Sequence, residues 1–338
     1  MPKPIEGGLE HGGRLQEAAR EYGIAVSKWL DLSTGIAPWP FAVPAIPVSA
    51  WARLPESGDG LHAAACAYYG VTQLLAVAGS QAAIQMLPRL RAHSRVGVLS
   101  PCYGEHAHAW RQAGHDVMEI ADAEVQAHLA NLDVLVVVNP NNPTGRLCSR
   151  EQLLAWHSQL VARGGWLLVD EAFIDITPEH SLAAATPRDG LIVLRSFGKF
   201  FGLAGARLGC VLAVDSLLQA LAERLGPWTI NGPTRTVAAH CFADLTAQQQ
   251  QRERALAASQ RLAALMAAHG LQPTGGCGLF QWWQGEHAAA LHDFFARQGI
   301  LLRLFPAHSS VRVGLPANEA QWQRLAWVLQ AWAMEFVQ

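Results

Sequence analysis

Lys199 stands in the run Ser196-Phe197-Gly198-Lys199-Phe200-Phe201-Gly202-Leu203-Ala204-Gly205-Ala206-Arg207-Leu208-Gly209 and is one of only three lysines in the chain. Glycines and aromatics surround it, and the apolar run Leu191-Ile192-Val193-Leu194 precedes it, a poor setting for a solvated surface charge. Desolvation lowers the pKa of an ammonium group, and the neutral amine can condense with an aldehyde to a Schiff base. Ser196 and Arg207 bring a hydroxyl and a guanidinium, the groups that hold a phosphate. An amine nucleophile between phosphate donors is the pattern of an anchor for pyridoxal 5'-phosphate.

Other segments place polar groups where apolar runs end, and ligands of open α/β sheets gather beyond the carboxyl ends of strands. Asn139-Pro140-Asn141-Asn142-Pro143-Thr144-Gly145 follows one such run, a rigid turn presenting amides, although alone it also reads as an ordinary tight turn. Asp170-Glu171-Ala172-Phe173 follows another. A carboxylate there would keep the pyridine nitrogen of the cofactor protonated, while in isolation Asp170 also reads as a helix N-cap. Gly79-Ser80-Gln81 opens a helix whose first N–H groups, with the Ser80 hydroxyl, suit a phosphate. Tyr103, at a further strand end, is placed either to stack on the pyridine ring or to pack in the core. His106 and His108 form an HxH without a third ligand nearby, so a helix carrying polar histidines is expected and no metal site.

The elements that position these residues follow from hydrophobic periodicity. Helices are expected over 59–69, 80–91, 104–113 and 149–163, alternating with buried strands at 95–99, 133–138, 166–169 and 191–194. That alternation predicts an α/β domain with a mostly parallel central sheet. A Pro- and Trp-rich stretch over 37–47 precedes it as an irregular arm. Helices over 215–225 and 246–269, strands near 278–283 and 310–315 and a final helix from 318 describe a smaller α+β domain. The expected division is an N-terminal arm over 1–45 contributing to the small domain and the active site, a large cofactor-binding domain over 46–235 and a small domain over 236–338.

Composition narrows the partners. A formal net charge of −2, with both signs interspersed, gives no footprint for nucleic acid or an anionic membrane, so a small molecule is expected. The six cysteines form no CxxC pair and read as reduced thiols. No apolar run approaches the roughly 20 residues of a membrane helix, and the segment after Met1 has no apolar signal region, so a soluble cytoplasmic protein is expected.

Taken together, NPNNPTG, the Asp-Glu-Ala-Phe strand end and SFGKFFGLAGARLG resemble, over about residues 50–315, the fold-type I, aspartate-aminotransferase-like enzymes that use pyridoxal phosphate. The resemblance implies Lys199 as the Schiff-base lysine, Asp170 as the partner of the ring nitrogen, Asn142 as donor to the ring oxygen and Tyr103 as the stacking ring. It implies Ser80, Gln81, Ser196 and Arg207 as phosphate ligands, and Arg312 as the arginine for the substrate α-carboxylate. Phe173 stands where many relatives have a tyrosine bonding the ring oxygen, and Leu54 where they have a tyrosine donated to the partner's cofactor phosphate. A homodimer is implied by the same likeness.

The segment Glu10-His11-Gly12-Gly13-Arg14, followed by Leu32-Ser33-Thr34-Gly35, is similar to the arm of the threonine-phosphate decarboxylases of cobalamin biosynthesis, and Phe173 fits that branch. This implies decarboxylation of L-threonine O-3-phosphate, with Lys199 reprotonating Cα. Arg303 is expected on a strand neighbouring Arg312 and would take the substrate phosphate, helped by His11, Gly12, Ser33, Thr34 and Gly35, unless it makes a surface ion pair. An aminotransferase for histidinol phosphate is the alternative, and a non-catalytic cofactor-binding protein a remote one.

Overall fold

The structure, a computed structural model, describes residues 11–336. The chain divides into two compact units, one running from Trp39 to Asn142 and from Arg146 to Arg254, the other taking residues up to Pro38, Pro143–Gly145 and residues from Ala255 onward. Strand β1 (Leu30–Asp31) belongs to the second of these.

The first unit is built on seven strands: β2 (Leu75–Val77), β3 (Arg95–Leu99), β4 (Asp116–Ile120), β5 (Val134–Val138), β6 (Trp166–Asp170), β7 (Leu191–Ser196) and β8 (Gly209–Leu212). They lie in the order β2-β8-β7-β6-β5-β3-β4, parallel from β7 to β4, with β8 antiparallel to both its neighbours. Every residue of β5 and β7 is buried, the Val and Leu run of β5 and the Leu-Ile-Val-Leu run of β7 as strands covered on both faces require, with Arg195 and Ser196 buried at the end of β7. Helices Ser80–Met86, Glu105–Gln112 and Asp215–Leu225 drive Ile84, Trp110 and Leu221 into one core with Val96, Val134, Leu168 and Ile192. Each such side chain contributes about 1.5–3 kcal/mol when fully buried.

The topology has a directional consequence. β3, β5, β6 and β7 run the same way, so the residues that follow them emerge along one edge of the sheet. β2 ends at that edge too, and β8 begins there, because Val77 lies opposite Gly209 and Ser196 opposite Gly209 on its other side.

The expected strands are present. The helix expected over 80–91 is shorter, passing into a 3-10 turn at Leu87–Leu90 where Pro88 has no N–H to continue it. A helix the periodicity did not announce, Gly232–Ala243, starts at Asn231, whose side chain accepts the Thr234 N–H at 2.9 Å.

The second unit carries β9 (Gly275–Cys277), β10 (Phe280–Gln284), β11 (Ile300–Leu301), β12 (Arg303–Phe305) and β13 (Ser310–Gly314). β12-β13-β10-β9 form an antiparallel sheet, and β1 pairs in parallel with β11. The closing helix is Glu319–Phe336.

Candidate active site

The residues expected to hold a phosphate are brought together by strand pairing and by close backbone approaches. Gly79 has φ 74° and heads the helix Ser80–Met86, and a Cβ on it would lie 2.7 Å from Arg207 Nη2. Glycine at 79 is what lets the guanidinium lie against the start of that helix. A Cβ at Gly209 would meet the Ser80 nitrogen at 2.5 Å, so the second glycine serves the same closure. Arg207 itself is left-handed at φ 54°, a conformation that costs a non-glycine residue about 1–2 kcal/mol, and it is exposed. Ser196 is buried as the last residue of β7, in register with Gly209. The β2–β8 and β7–β8 pairings thus bring Gly79, Ser80, Ser196 and Arg207 to one place, an anion cradle of hydroxyls, helix-start N–H groups and a guanidinium.

Asp170 ends β6 and is 3% exposed. Its Oδ1 accepts the Ala172 N–H at 3.1 Å across the turn that follows, and its Oδ2 lies 2.9 Å from His106 Nε2. His106 is therefore not one of a pair of polar surface histidines. It is buried on the helix Glu105–Gln112 and bears on the carboxylate, whereas His108 is exposed. The sequence singled out this histidine but offered no sign of its partner, which arrives from the end of a different strand.

Lys199 lies in the short helix Phe197–Phe200 just past β7, half-buried, with its Nζ 5.8 Å from the centroid of the Phe173 ring. Phe173 is buried and presents a face, not a hydroxyl. In the Asn-Pro-Asn-Asn loop, Asn139 is committed to Cys148, donating to its carbonyl at 3.3 Å and accepting its N–H at 2.7 Å. Asn141 donates to Pro101 O at 2.8 Å. Two of the three amides therefore build the loop, and half-buried Asn142 follows them at its tip.

Tyr103 and Gln81 are joined. The Tyr103 hydroxyl donates to Gln81 Oε1 at 3.1 Å, and Gln81 Nε2 donates to Glu105 at 2.6 Å. Burial pushes the Tyr103 hydroxyl up to about 12, with Glu105 and Asp170 adding to it, so it stays a donor at neutral pH. Glu105 escaped the sequence reading, and the Gln81 side chain is occupied by this chain of bonds.

A second missed group lies directly behind the strand ends. Glu171 and Arg195 are 0% and 2% exposed and meet at 3.0 Å, and Arg195 Nη2 also reaches Asp175 Oδ1 at 2.5 Å. Glu171 also accepts the Leu182 N–H at 2.7 Å and the Ser181 hydroxyl at 2.5 Å, and Tyr68 donates to Asp175 at 2.9 Å. Burial drives the Glu171 carboxyl up, opposed by the pull of Arg195. For Arg195 burial pulls the other way, yet the two carboxylates hold its pKa above the ordinary arginine value. The signal was available: a glutamate and an arginine inside runs otherwise apolar demand a partner.

In the other unit, Arg312 sits mid-β13, 6% exposed, and donates from Nη2 to the Ser33 carbonyl at 2.8 Å. Burial lowers its pKa to about 10, and Arg303 adds to the effect. Arg303 is its register partner on β12, half-buried, with its guanidinium 4.9 Å from the Phe305 ring centroid. Ser33 and Gly35 are buried and Thr34 half-buried. The Gly13 N–H donates to Ser33 Oγ at 2.8 Å, and a Cβ on Gly12 would lie 2.5 Å from Ser33 O. The arm from exposed His11 through Gly13, the Ser33–Thr34 segment and Arg312 are thus in direct succession, while Glu10 lies outside the described residues. No group of three or more His, Cys, Asp or Glu residues that could hold a metal occurs among the described residues.

A cofactor with an aldehyde, a protonated ring nitrogen and a phosphate would meet along one sheet edge the lysine, the histidine-backed carboxylate and the anion cradle it needs, and Gly79 supplies the positive φ with which that cradle's helix begins. This is the site of the fold-type I enzymes that use pyridoxal 5'-phosphate. The chain belongs to the class I and II aminotransferase family, whose family model matches residues 56–326. It is 67% identical over 317 residues to the threonine-phosphate decarboxylase of Pseudomonas aeruginosa, covering 94% of this chain and 96% of that one. It is 44% identical over 330 residues to the protein of the same name from a Sinorhizobium species, again over 94% and 96%. Among solved structures, the histidinol-phosphate aminotransferase of Sinorhizobium meliloti in complex with pyridoxal-5'-phosphate superposes with a TM-score of 0.80 at 21% identity, over 99% of this chain and 98% of that one. The L-threonine-O-3-phosphate decarboxylase of Porphyromonas gingivalis gives 0.75 at 20% identity, over 90% and 99%.

Proposed function

We propose that the chain decarboxylates L-threonine O-3-phosphate to (R)-1-amino-2-propanol O-2-phosphate and carbon dioxide, a step that supplies the aminopropanol part of cobalamin. The observation that carries this reading is the register pair Arg303–Arg312 with the His11–Gly13 arm on Ser33: two guanidiniums and a donor-rich arm suit a substrate with both a carboxylate and a phosphate. The name of the relative at 67% identity agrees with it.

Pyridoxal phosphate, when bound, supplies the electron sink into which the pair from the breaking Cα–carboxylate bond passes. Asp170 holds a proton on the ring nitrogen, and His106 fixes the carboxylate that does so. Asn142 donates to the ring oxygen, without the help of a hydroxyl at Phe173. Tyr103, held by Gln81, would stack on the pyridine ring. Ser80, Gln81 through its backbone, Ser196 and Arg207 take the cofactor phosphate. Arg312 would orient the substrate carboxylate, Arg303 with His11, Gly12, Ser33, Thr34 and Gly35 would take the substrate phosphate, and Lys199, as its ammonium, would deliver to Cα the proton that replaces the departing carboxylate and become the neutral amine. In this division the cofactor is held by 46–235, and the substrate anions by the arm 1–45 and by 236–338.

The working enzyme is a cytoplasmic homodimer in this reading. Six free thiols accord with a reducing compartment, no helix among the described residues is long and apolar enough to cross a membrane, and exposed Val48, Trp51, Leu54 and Trp228 offer apolar surface to a second copy.

The test is direct. Holoenzyme incubated with L-threonine O-3-phosphate and no 2-oxo acid is expected to release carbon dioxide and the aminopropanol phosphate in equal amounts. No carbon dioxide, with keto product formed once 2-oxoglutarate is added, would assign the chain to the aminotransferases instead.

A further inference from the structure

The buried charges Glu171, Arg195 and Asp175 touch neither substrate nor cofactor in the reading above, yet they occupy the positions next to the residues that do. The β6–β7 register puts Asp170 opposite Leu194, and the Glu171 N–H bonds to Leu194 O at 2.9 Å. One residue further on, just past the end of β6 and still within β7, the Glu171 carboxylate and Arg195 guanidinium meet at 3.0 Å. Adjacent strand residues point to opposite faces, so Asp170 and Ser196 face away from the side on which Glu171 and Arg195 are joined. Arg195 also holds Asp175, and the same carboxylate accepts from Tyr68, while Arg252 donates to the Asp175 carbonyl at 2.9 Å. Glu171 carries Ser181 and Leu182 as well.

A cluster of this kind is a poor device for stability alone. Three ionisable groups have been taken out of water, and Asp175 Oδ2 and Arg195 Nε find no protein partner. Apolar or neutral replacements of such clusters often fold at least as well. What the cluster fixes is the spacing of two neighbouring strand ends, with charge-assisted, two-pronged geometry.

Resting on the site reading above, we propose that Glu171 and Arg195, with Asp175, are positioning residues: their buried bridge sets the distance between Asp170 at the end of β6 and the Ser196–Lys199 segment that leaves β7, and so the fit of pyridoxal phosphate between its ring-nitrogen and phosphate ligands. Breaking the bridge loosens cofactor binding and alters the environment of the lysine, even where the fold survives.

The experiment uses the full chain and two variants. Glu171→Gln/Asp175→Asn/Arg195→Met neutralises the whole cluster and leaves no buried charge stranded, and Arg195→Lys keeps the charge but loses the fork. Thermal midpoint of the apo-protein, the dissociation constant for pyridoxal phosphate and the pH midpoint of the visible absorbance of the bound cofactor are measured for each. The triple variant is expected to melt near the wild-type temperature but to bind the cofactor about ten-fold more weakly, with a displaced absorbance midpoint. Arg195→Lys is expected to give a smaller loss, about three-fold. Affinity and absorbance midpoint within two-fold and 0.2 pH of wild type in both variants, taking about those margins as experimental scatter, would overturn the proposal. Should the triple variant not fold, Arg195→Lys decides by the same criteria. Borohydride reduction and peptide mapping of the wild-type holoenzyme keep the two readings apart: cofactor fixed on Lys3 or Lys28 would sink the site reading, whereas fixation on Lys199 with unaffected variants would sink only the positioning role.

Discussion

Arg312 is a charge held where charge is expensive. Its pKa falls from the ordinary arginine value to about 10 because burial disfavours the guanidinium. A group whose folded pKa is depressed adds stability only as the pH rises: here the unfolded chain binds the extra proton from about pH 10 up to the ordinary arginine value, so stability climbs across that window and the charge is a cost at neutral pH. Arg312→Met is therefore expected to leave the apo-protein as stable as wild type or more so at pH 7, while raising the KM for phosphothreonine by about two orders of magnitude. A lowered melting temperature with unchanged KM would show a structural arginine. At this scale much was legible in the sequence. Lys199, Asp170, Asn142 and Arg207 announce themselves by being polar where the chain is apolar or glycine-rich. His106, Glu105 and Glu171 did not, because their meaning lies in partners far along the chain: His106 finds Asp170, and Glu171 finds Arg195.

Strand pairing decides which of these residues meet. Arg207 is held left-handed where β8 begins, and Gly79 gives its side chain room. Arg207→Gly keeps the backbone and removes the guanidinium. Relief of about 1 kcal/mol of left-handed strain is offset by the greater freedom of glycine when unfolded, so the apo-protein should melt within about 3 °C of wild type. Cofactor affinity should fall by about 10–100-fold with the charge-assisted contact gone. Equilibrium dialysis against pyridoxal phosphate checks this, and an unchanged constant would remove Arg207 from the cradle. Buried strands were the most legible elements, since runs such as 134–138 admit few other readings. The helix Gly232–Ala243 was not, because Asn231-Gly232-Pro233 looks like a turn until Asn231 is seen capping the Thr234 N–H. The two-residue β1 and β11 carry too short a pattern to be read at all.

For the molecule as a whole, the exposed apolar residues of the first unit set the expectation. Val48, Trp51, Leu54 and Trp228 are 79%, 69%, 63% and 59% exposed. They belong to neighbouring segments, since a Cβ on Gly232 would lie 2.2 Å from Ala50 O. Light scattering on the eluting protein should give twice the chain mass, and Trp51→Glu/Leu54→Glu should shift it toward one chain. A variant that stays fully dimeric would place the interface elsewhere. This surface was only half visible in the sequence, which showed a Trp- and Pro-rich arm but not which side chains remain outside the core.

The closure of β2 on β8 has one more consequence. Ser80 follows β2 and Arg207 precedes β8, strands far apart in the chain, and β2 lies at the edge of the sheet with β8 as its neighbour. A nascent or partly folded chain that lacks β8 therefore has no complete seat for the phosphate. Cofactor capture then acts as a report that the sheet has closed, and by mass action it draws the population toward the finished fold, by RT ln(1 + [L]/Kd) for free cofactor at concentration [L].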